Sequence, residues 1–517
     1  MVVTADDPEM HSSQNEQDNR HYARAAKIPM LEPSDSAEAL AFVKRGFEVS
    51  EEFDTPLMLR VTTRICHAQG IVELSERKDV PLRDYARNFE KNVMLPVNAR
   101  KKHPLVEART VALTKWAAQS GLNRIEKGQG SVGFVTSGVS YQYVREAFPD
   151  APVLKYGMSF PLELSIARRF RKMVDKLFVV EEGDAYIEEQ LQAAGIQVDG
   201  GKAKTGLLGE LNVDRVRAAF GKKAGKGLTT EIPVPARPPA LCAGCSHRGI
   251  YYALKQEKAT VFGDIGCYTL AALPPLSIMD TCICMGASIS ASEGLVKARA
   301  GEERRMACTI GDSTFLHSGI TGLIDTVHNQ AAFVTVILDN RVTAMTGHQN
   351  NPNTGKNLRG QDTPPLDLEA LVKACGVREV SVVDPYDLAA TRAALVRHFE
   401  LKEPSVIIVR RKCVEWSRER ETPFRVDQEL CTGCKTCVGL GCPAISFDSA
   451  RRKSSIDETM CIGCTLCHQV CRFSAIYRTD KEAEHREDAA RELKRRADRK
   501  AEAQKAAKNT GGKGGRS

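Results

Sequence analysis

No stretch of this 517-residue sequence brings together the roughly 18 apolar residues that a membrane-spanning helix requires. Its opening residues, MVVTADDPEM, lack the basic and apolar segments of a secretory signal. A membrane protein and an exported protein are both disfavoured, and a cytoplasmic location is expected. Aromatic residues are few, at 6% with two Trp, beside 42% hydrophobic and 27% charged residues, the balance of a soluble globular chain. A strong charge imbalance is missing as well. The formal excess is +8, half of it in the tail from Asp480 to Ser517, so the residues before the tail are close to neutral. Nucleic-acid binding wants a basic face on a folded domain, so no such partner is expected. A single core is excluded by length, since about 150 residues per domain gives three or four domains.

Cysteine is what the chain has in quantity. There are seventeen, and eight of them fall between Cys431 and Cys471. Without a signal peptide, C-x-x-C spacings read as metal or cluster ligands in a reducing compartment rather than as disulfides.

The rest of the chain alternates strand and helix patterns, which argues parallel sheets. Val2–Pro8 reads as a buried strand, SQNEQDNRHYARAA as a helix start, Ala37–Ser50 as a helix and Pro56–Thr63 as a strand. Residues 1–70 thus look like the second half of a doubly wound domain, and 71–125, mixed and charged, like a connecting segment. Residues 126–205 form a second α/β unit, with a strand from Val132 to Thr136 and a helix from Tyr141 to Phe148. Residues 206–238, rich in Gly, Lys and Pro, read as a linker. A third α/β unit spans 239–418, with strands at Arg305–Ile310, Phe333–Leu338 and Ser405–Arg410. The cysteine module occupies 419–479. Residues 480–517 read as a charged tail, a solvated helix running into a disordered GGKGG end.

The module repeats one pattern twice: Cys431-x-x-Cys434-x-x-Cys437-x4-Cys442-Pro443, then Cys461-x-x-Cys464-x-x-Cys467-x3-Cys471. This is the two-cluster bacterial ferredoxin arrangement, in which the fourth cysteine of each run serves the other cluster. One [4Fe-4S] cluster should take Cys431, Cys434, Cys437 and Cys471, the other Cys461, Cys464, Cys467 and Cys442. The first run has four residues rather than three before its last cysteine, and Arg472 replaces the second proline. The competing reading is a pair of zinc knuckles, which two tandem runs of four disfavour.

Gly311-Asp312-Ser313 follows the strand MACTI, and Asn340 ends the strand FVTVILD. The spacing resembles the GDG…NN fingerprint of thiamine diphosphate enzymes. Such a site needs hard oxygens for Mg²⁺: the Asp312 carboxylate, the Asn340 side-chain oxygen and the Val342 carbonyl. Small residues before a helix let its N–H groups approach a diphosphate. Ser313 stands in place of Gly and Asp339 in place of the first Asn. Polar residues at a strand end, as in any α/β fold, are the alternative.

With CAGCSHRG, FGDIGCYTL, CMGASIS, GDSTFLHSGI and DNRVTAMTGHQ in this order, and HSSQNEQDN near the start, the chain from residue 1 to about 478 resembles the α subunits of indolepyruvate ferredoxin oxidoreductases, within the 2-oxoacid:ferredoxin oxidoreductases. The resemblance implies an α/β multidomain fold of doubly wound parallel sheets plus a C-terminal α+β two-cluster ferredoxin module. Residues 1–70 would be the C-terminal half of a pyrimidine-binding domain, 126–205 a transketolase-C-like domain and 239–418 the diphosphate-binding domain. It implies a third [4Fe-4S] cluster on Cys242, Cys245, Cys267 and Cys413. On residues alone, Cys242 and Cys245 could be a zinc or redox pair, and Cys267 and Cys413 core cysteines, the reading kept for Cys66, Cys282, Cys284, Cys308 and Cys375. Gly266 and His247 join the cofactor-binding set, with a local hydrogen bond as the plainer role for His247. Met345 stands where pyruvate-specific relatives carry an active-site Asn.

The implied reaction is oxidative decarboxylation of an aryl 2-oxoacid to its acyl-CoA with reduction of ferredoxin. It uses thiamine diphosphate, Mg²⁺, coenzyme A and a β subunit in a hetero-oligomer. Family members begin earlier, so the Glu that activates thiamine is expected before Met1. Glu16 lies in the wrong motif to replace it, and no catalytic residue is assigned. The second expectation is a non-catalytic electron-transfer and cofactor-binding fragment, completed by another chain.

Overall fold

The computed structural model describes residues 1–77, 79–81, 84–225, 232–234, 238–300 and 305–511. The chain divides into two compact units, Met1–Pro233 and Val234–Ser517.

The first unit holds two four-stranded sheets. One has the order β1 (Val2–Asp6), β3 (Met58–Thr62), β2 (Met30–Leu31), β7 (Met158–Phe160), parallel except for β7. The other runs β4 (Arg124–Glu126), β6 (Val153–Tyr156), β5 (Val132–Ser137), β8 (Lys176–Val180), parallel except for β4. VGFVTS and KLFVV are β-branched and aromatic runs suited to strands covered on both faces. The helix Ser36–Phe53 starts at Asp35, whose carboxylate accepts from Glu38 N, and its Phe42 and Val49, two turns apart, enter the core.

Several expectations are corrected here. The strand Val2–Asp6, expected to be buried, is an edge strand: among the described residues it pairs only with β3, and Val2 and Val3 are 47% and 63% exposed. The connecting segment carries the helix Pro96–Ala117, and its Leu113 and Ala117 share a core with Leu31, Phe42 and Leu59. The linker starts later than residue 206, because Leu211 and Val216, on and before the helix Val213–Ala219, pack into the core around Phe134 and Val153.

Between the two sheets of this unit lies a buried charge network. Arg20, fully buried, donates to Asp18 and Glu181 and to the Glu182 carbonyl; Arg60 donates to Asp6 and Glu32. Five buried carboxylates, Asp6, Asp18, Glu32, Glu181 and Glu182, face two guanidiniums and the Lys202 ammonium, which bonds the Glu181 carbonyl. Such an excess of acid favours proton retention. At Glu182 burial pushes the carboxyl up from 4.5 to about 7, against the pull of Arg60 and of the Leu211 N–H. A carboxyl raised in the folded state binds its proton more tightly there than in the unfolded chain. Its contribution to stability is complete below the unfolded value and is lost as pH rises through about 7. Glu182→Gln should therefore flatten the decline in stability between pH 5 and 8, an effect of up to roughly 3 kcal/mol. Urea midpoints at the two pH values measure it, and parallel declines in both proteins would exclude Glu182 as the proton holder.

The second unit is built on six parallel strands in the order β10 (Thr281–Cys282), β9 (Thr260–Gly263), β11 (Met306–Gly311), β12 (Val334–Asp339), β14 (Ser405–Arg410), β13 (Glu379–Val383). β11 and β12 are buried along their whole length and β14 nearly so, as near-continuous apolar runs at the centre of a parallel sheet should be. The cysteine module follows as two antiparallel pairs, β15 (Phe424–Val426) with β18 (Ile476–Arg478) and β16 (Ile445–Asp448) with β17 (Lys453–Ile456).

The tail is also corrected. A helix runs from Glu482 to Gly511, and its start is docked on the module rather than solvated all round. Ala489 packs with Leu430 and Ala475, His485 bonds Asp427, and Arg496 donates to the Leu430 and Phe473 carbonyls. The expected disorder of the GGKGG end lies, beyond Gly511, outside the described residues. Among those described, no helix is long and apolar enough to cross a membrane.

Candidate functional site

In open parallel sheets, ligands bind beyond the carboxyl ends of the strands. Here β11 ends at Gly311 and β12 beside it ends at Asp339, with Gly311 opposite Leu338, so the register sets Asp312 next to Asp339 and Asn340. From Asp312 the chain turns straight into helix, through a π-helical turn at Phe315–Gly319, to His328. Such turns are frequent at functional sites. Asp312 is 1% exposed and accepts from Ser313 N at 2.8 Å and from the Asn353 and Asn351 amides at 3.3 and 3.5 Å. Burial, with the Asp339 charge behind it, pushes its carboxyl up to about 7. Asp339 is itself held by Arg410, Arg341 and Asn353, whereas no cationic side chain bonds Asp312 among the described residues.

The Asn340 amide stands 2.8 Å from the Val342 carbonyl and 3.1 Å from Asp312 Oδ1. With its nitrogen turned inward it donates to both. With its oxygen inward, three oxygens converge on one point, the donor set of a hard divalent cation. The sequence-derived residues Asp312, Asn340 and Val342 are thus together, and they fit Mg²⁺. Ser313 is tied to the same loop by the Thr343 hydroxyl at 2.8 Å. Asn351 and Asn353 went unremarked in the sequence. The asparagine-rich HQNNPNT just after the motif was the available signal.

Four thiols meet beside this site. Cys242 and Cys245 form one turn before the helix Arg248–Gln256, joined by a Cys245 N to Cys242 O bond of 3.0 Å. Cys267 follows Gly266 just beyond β9, and Cys413 follows β14, its N–H on the Asn340 carbonyl at 3.0 Å. Burial, and then the charges of Glu415, Cys267 and Cys413, push Cys242 up to about 11; burial pushes Cys245 up to about 12, with Cys242 and Cys267 adding to it. Residues from three separate segments therefore sense one another. His247 is 4% exposed, and burial lowers its pKa to about 4, so the ring is neutral. It meets Tyr268 edge-on at 5.7 Å, and Cβ atoms on Gly266 or Gly311 would stand 2.3 or 2.9 Å from that same ring. Tyr268, inside FGDIGCYTL, is the residue missed there: it brings His247, Gly266 and Gly311 to one place.

The module holds two small cavities of about 20 Å³ each. One is lined by Cys442, Cys461, Cys464 and Cys467, the other by Cys431, Cys434, Cys437 and Cys471. Each set takes its fourth cysteine from the other run. Backbone N–H groups reach the sulfurs, Phe424 N to Cys461 at 3.4 Å and Ala475 N to Cys471 at 3.3 Å. Among the described residues no three of these thiols lie within 4.8 Å of one another. A tetrahedral zinc would hold its sulfurs closer than that, about 3.8 Å apart. Of the other cysteines, Cys308 is buried against Thr335, Cys282 and Cys375 are half-buried, and Cys66 and Cys284 are exposed. Met345 is half-exposed. Glu16 accepts from Gly209 N in the first unit.

The family of thiamine pyrophosphate enzymes, in its C-terminal TPP binding domain, matches residues 264–409, and a 4Fe-4S dicluster domain matches residues 424–472. Curated relatives named indolepyruvate oxidoreductase subunit IorA match over 92% of this chain and 81% of their own length. Those of Archaeoglobus fulgidus and Methanothermobacter marburgensis are 39% identical over 508 residues, that of Thermococcus kodakarensis 38% over 529. A thiamine pyrophosphate domain and a 4Fe-4S dicluster domain matched on one chain, with relatives of this identity along nearly all of it, define an oxidoreductase: the chain belongs to the indolepyruvate oxidoreductase subunit IorA family.

Proposed function

We propose that the chain, with a β subunit, oxidatively decarboxylates an aryl 2-oxoacid of the indolepyruvate kind to its acyl-CoA in the cytoplasm and reduces ferredoxin. The observation that carries this reading is the adjacency of the thiamine-site oxygens and the four-thiol site through the Cys413 N–H on the Asn340 carbonyl. Thiamine diphosphate when bound supplies the electron sink for decarboxylation, and the clusters a one-electron relay. Asp312, Asn340 and Val342 would hold Mg²⁺, and Gly311 and Ser313 at the helix start the diphosphate. Neutral His247, shielded from water, can accept or donate a hydrogen bond without adding charge. Cys242, Cys245, Cys267 and Cys413 would hold a third cluster beside the two of the module. The domain roles implied by resemblance for 1–70, 126–205 and 239–418 belong to the same proposal.

Anaerobic reconstitution should give about twelve iron atoms per chain, from three four-iron clusters. About eight would remove the third cluster, and stoichiometric zinc in place of iron would refute the cluster assignment. Ferredoxin reduction by indolepyruvate, strictly dependent on coenzyme A and the β subunit, tests the reaction. Reduction of the clusters by dithionite but by no 2-oxoacid would favour the electron-transfer reading instead.

A further inference from the structure

Arg248 is a buried cation with no carboxylate partner among the described residues. It is 1% exposed, and its guanidinium meets only main-chain carbonyls: Leu440 at 2.6 Å from Nη1, Leu241 and Cys242 at 2.9 Å from Nη2. Its Nε–H has no acceptor. A buried charge is ordinarily paired, because desolvation leaves it several kcal/mol unfavourable otherwise. Among the described residues no acid answers it. What stands around it are thiols: it lines the cavity of Cys442, Cys461, Cys464 and Cys467, and its charge bears on Cys464 on one side and on Cys245 on the other. A four-iron cluster with four thiolates is a net anion in both of its working oxidation states, and so is the missing counter-charge.

The wall it occupies is thin. Gly244, in the Cys242–Cys245 turn, has φ +63°, and a Cβ there would stand 2.2 Å from Ile462 and 3.4 Å from the Cys464 Cβ. The Tyr386 hydroxyl donates to the Gly244 carbonyl, and Tyr386 itself packs against the module. The two cysteine sites thus share one layer of backbone, and Arg248 pins it from both ends, at Cys242 and at Leu440.

We propose that Arg248 is a positioning residue for electron transfer: its side chain clamps the Cys242–Cys245 turn to the module and sets a permanent positive charge and a free N–H beside the cluster of Cys442, Cys461, Cys464 and Cys467. The charge favours the more anionic, reduced form, so it raises that cluster's reduction potential and draws the electron outward from the third site. The inference rests on the cluster reading above.

The test is EPR-monitored redox titration of the reconstituted full chain, with iron analysis of every sample. Arg248→Gln should lower the midpoint of this cluster while the cluster of Cys431, Cys434, Cys437 and Cys471 stays where it was. Arg248→Lys, which keeps the charge and loses the fork, should restore most of it. An unmoved midpoint in Arg248→Gln at full iron overturns the proposal, as does an equal fall in the Lys variant. If Arg248→Gln does not retain iron, the Lys variant decides: a wild-type midpoint supports the role of charge, and a lowered one refutes it. Failure of the wild-type chain to bind iron at these cysteines would strike the cluster reading rather than the role of Arg248.

Discussion

Asp312→Ala should abolish retention of thiamine diphosphate and Mg²⁺ while leaving both ferredoxin-type clusters spectroscopically intact. The side chain is the one carboxylate among the three converging oxygens, and the Asn340 amide and Val342 carbonyl are neutral. Removing an outer partner of a metal ligand typically costs roughly 10–100-fold in affinity, so removing the charged ligand itself should cost more. Asn353→Ala, which strips an amide from both Asp312 and Asp339, should fall in that lower range. Calorimetric titration of each variant with the cofactor and Mg²⁺ measures the losses, and the visible and EPR spectra of the clusters serve as the internal control. Unchanged affinity in Asp312→Ala would make Gly311-Asp312-Ser313 no more than the end of a strand.

That site could be read from sequence only as far as its local spacing reached. The cysteine sets were legible because x-x spacing forces neighbouring thiols onto one loop, and the family pattern supplies the crossing fourth ligand. The parallel sheet was legible because MACTIG, VTVILD and SVIIVR are mainly apolar, with no regular polar alternation to suggest an exposed face. Tyr268 and Asn353 were not, because their importance lies in what lies across from them: two glycines and a histidine for the one, two aspartates for the other. Elements with thin apolar signals were misread in the same way. The helix Pro96–Ala117 carries five Lys and Arg and exposed Val97, Leu105 and Val111, and only its far end, at Leu113 and Ala117, enters the core. The Glu482–Gly511 helix docks through Ala489 and a few side-chain bonds, too little to stand out from its charges.

The buried network of the first unit was invisible for the same reason, and its disruption is the largest stability effect expected of this fold. Arg20 sits at the start of the helix Asn19–Ala26 and reaches Asp18 beside it and Glu181 at the end of β8, so one guanidinium joins the two sheets. The Arg20 charge and that of Arg60 hold the Asp18 carboxyl far below its usual range despite burial. Arg20→Ala would leave five buried carboxylates to Arg60 and Lys202. Breaking a buried pair from one side typically costs 3–5 kcal/mol, roughly what is expected here. The sign with pH follows from Asp18. A depressed carboxyl contributes stability above its unfolded value, a contribution lost on acidification, and in the variant most of that contribution is gone. The stranded carboxylates relieve themselves by taking up protons, so the difference from wild type should be largest at high pH and shrink as the pH falls. Hydrogen exchange of the intact protein, followed by mass spectrometry, localises the effect: peptides covering Met58–Thr62 and Lys176–Val180 should lose protection, while those covering Val334–Asp339 in the second unit should not. Protection unchanged in the first two, or a difference that grows as the pH falls, would mean that Arg20 does not carry the charge balance of this core.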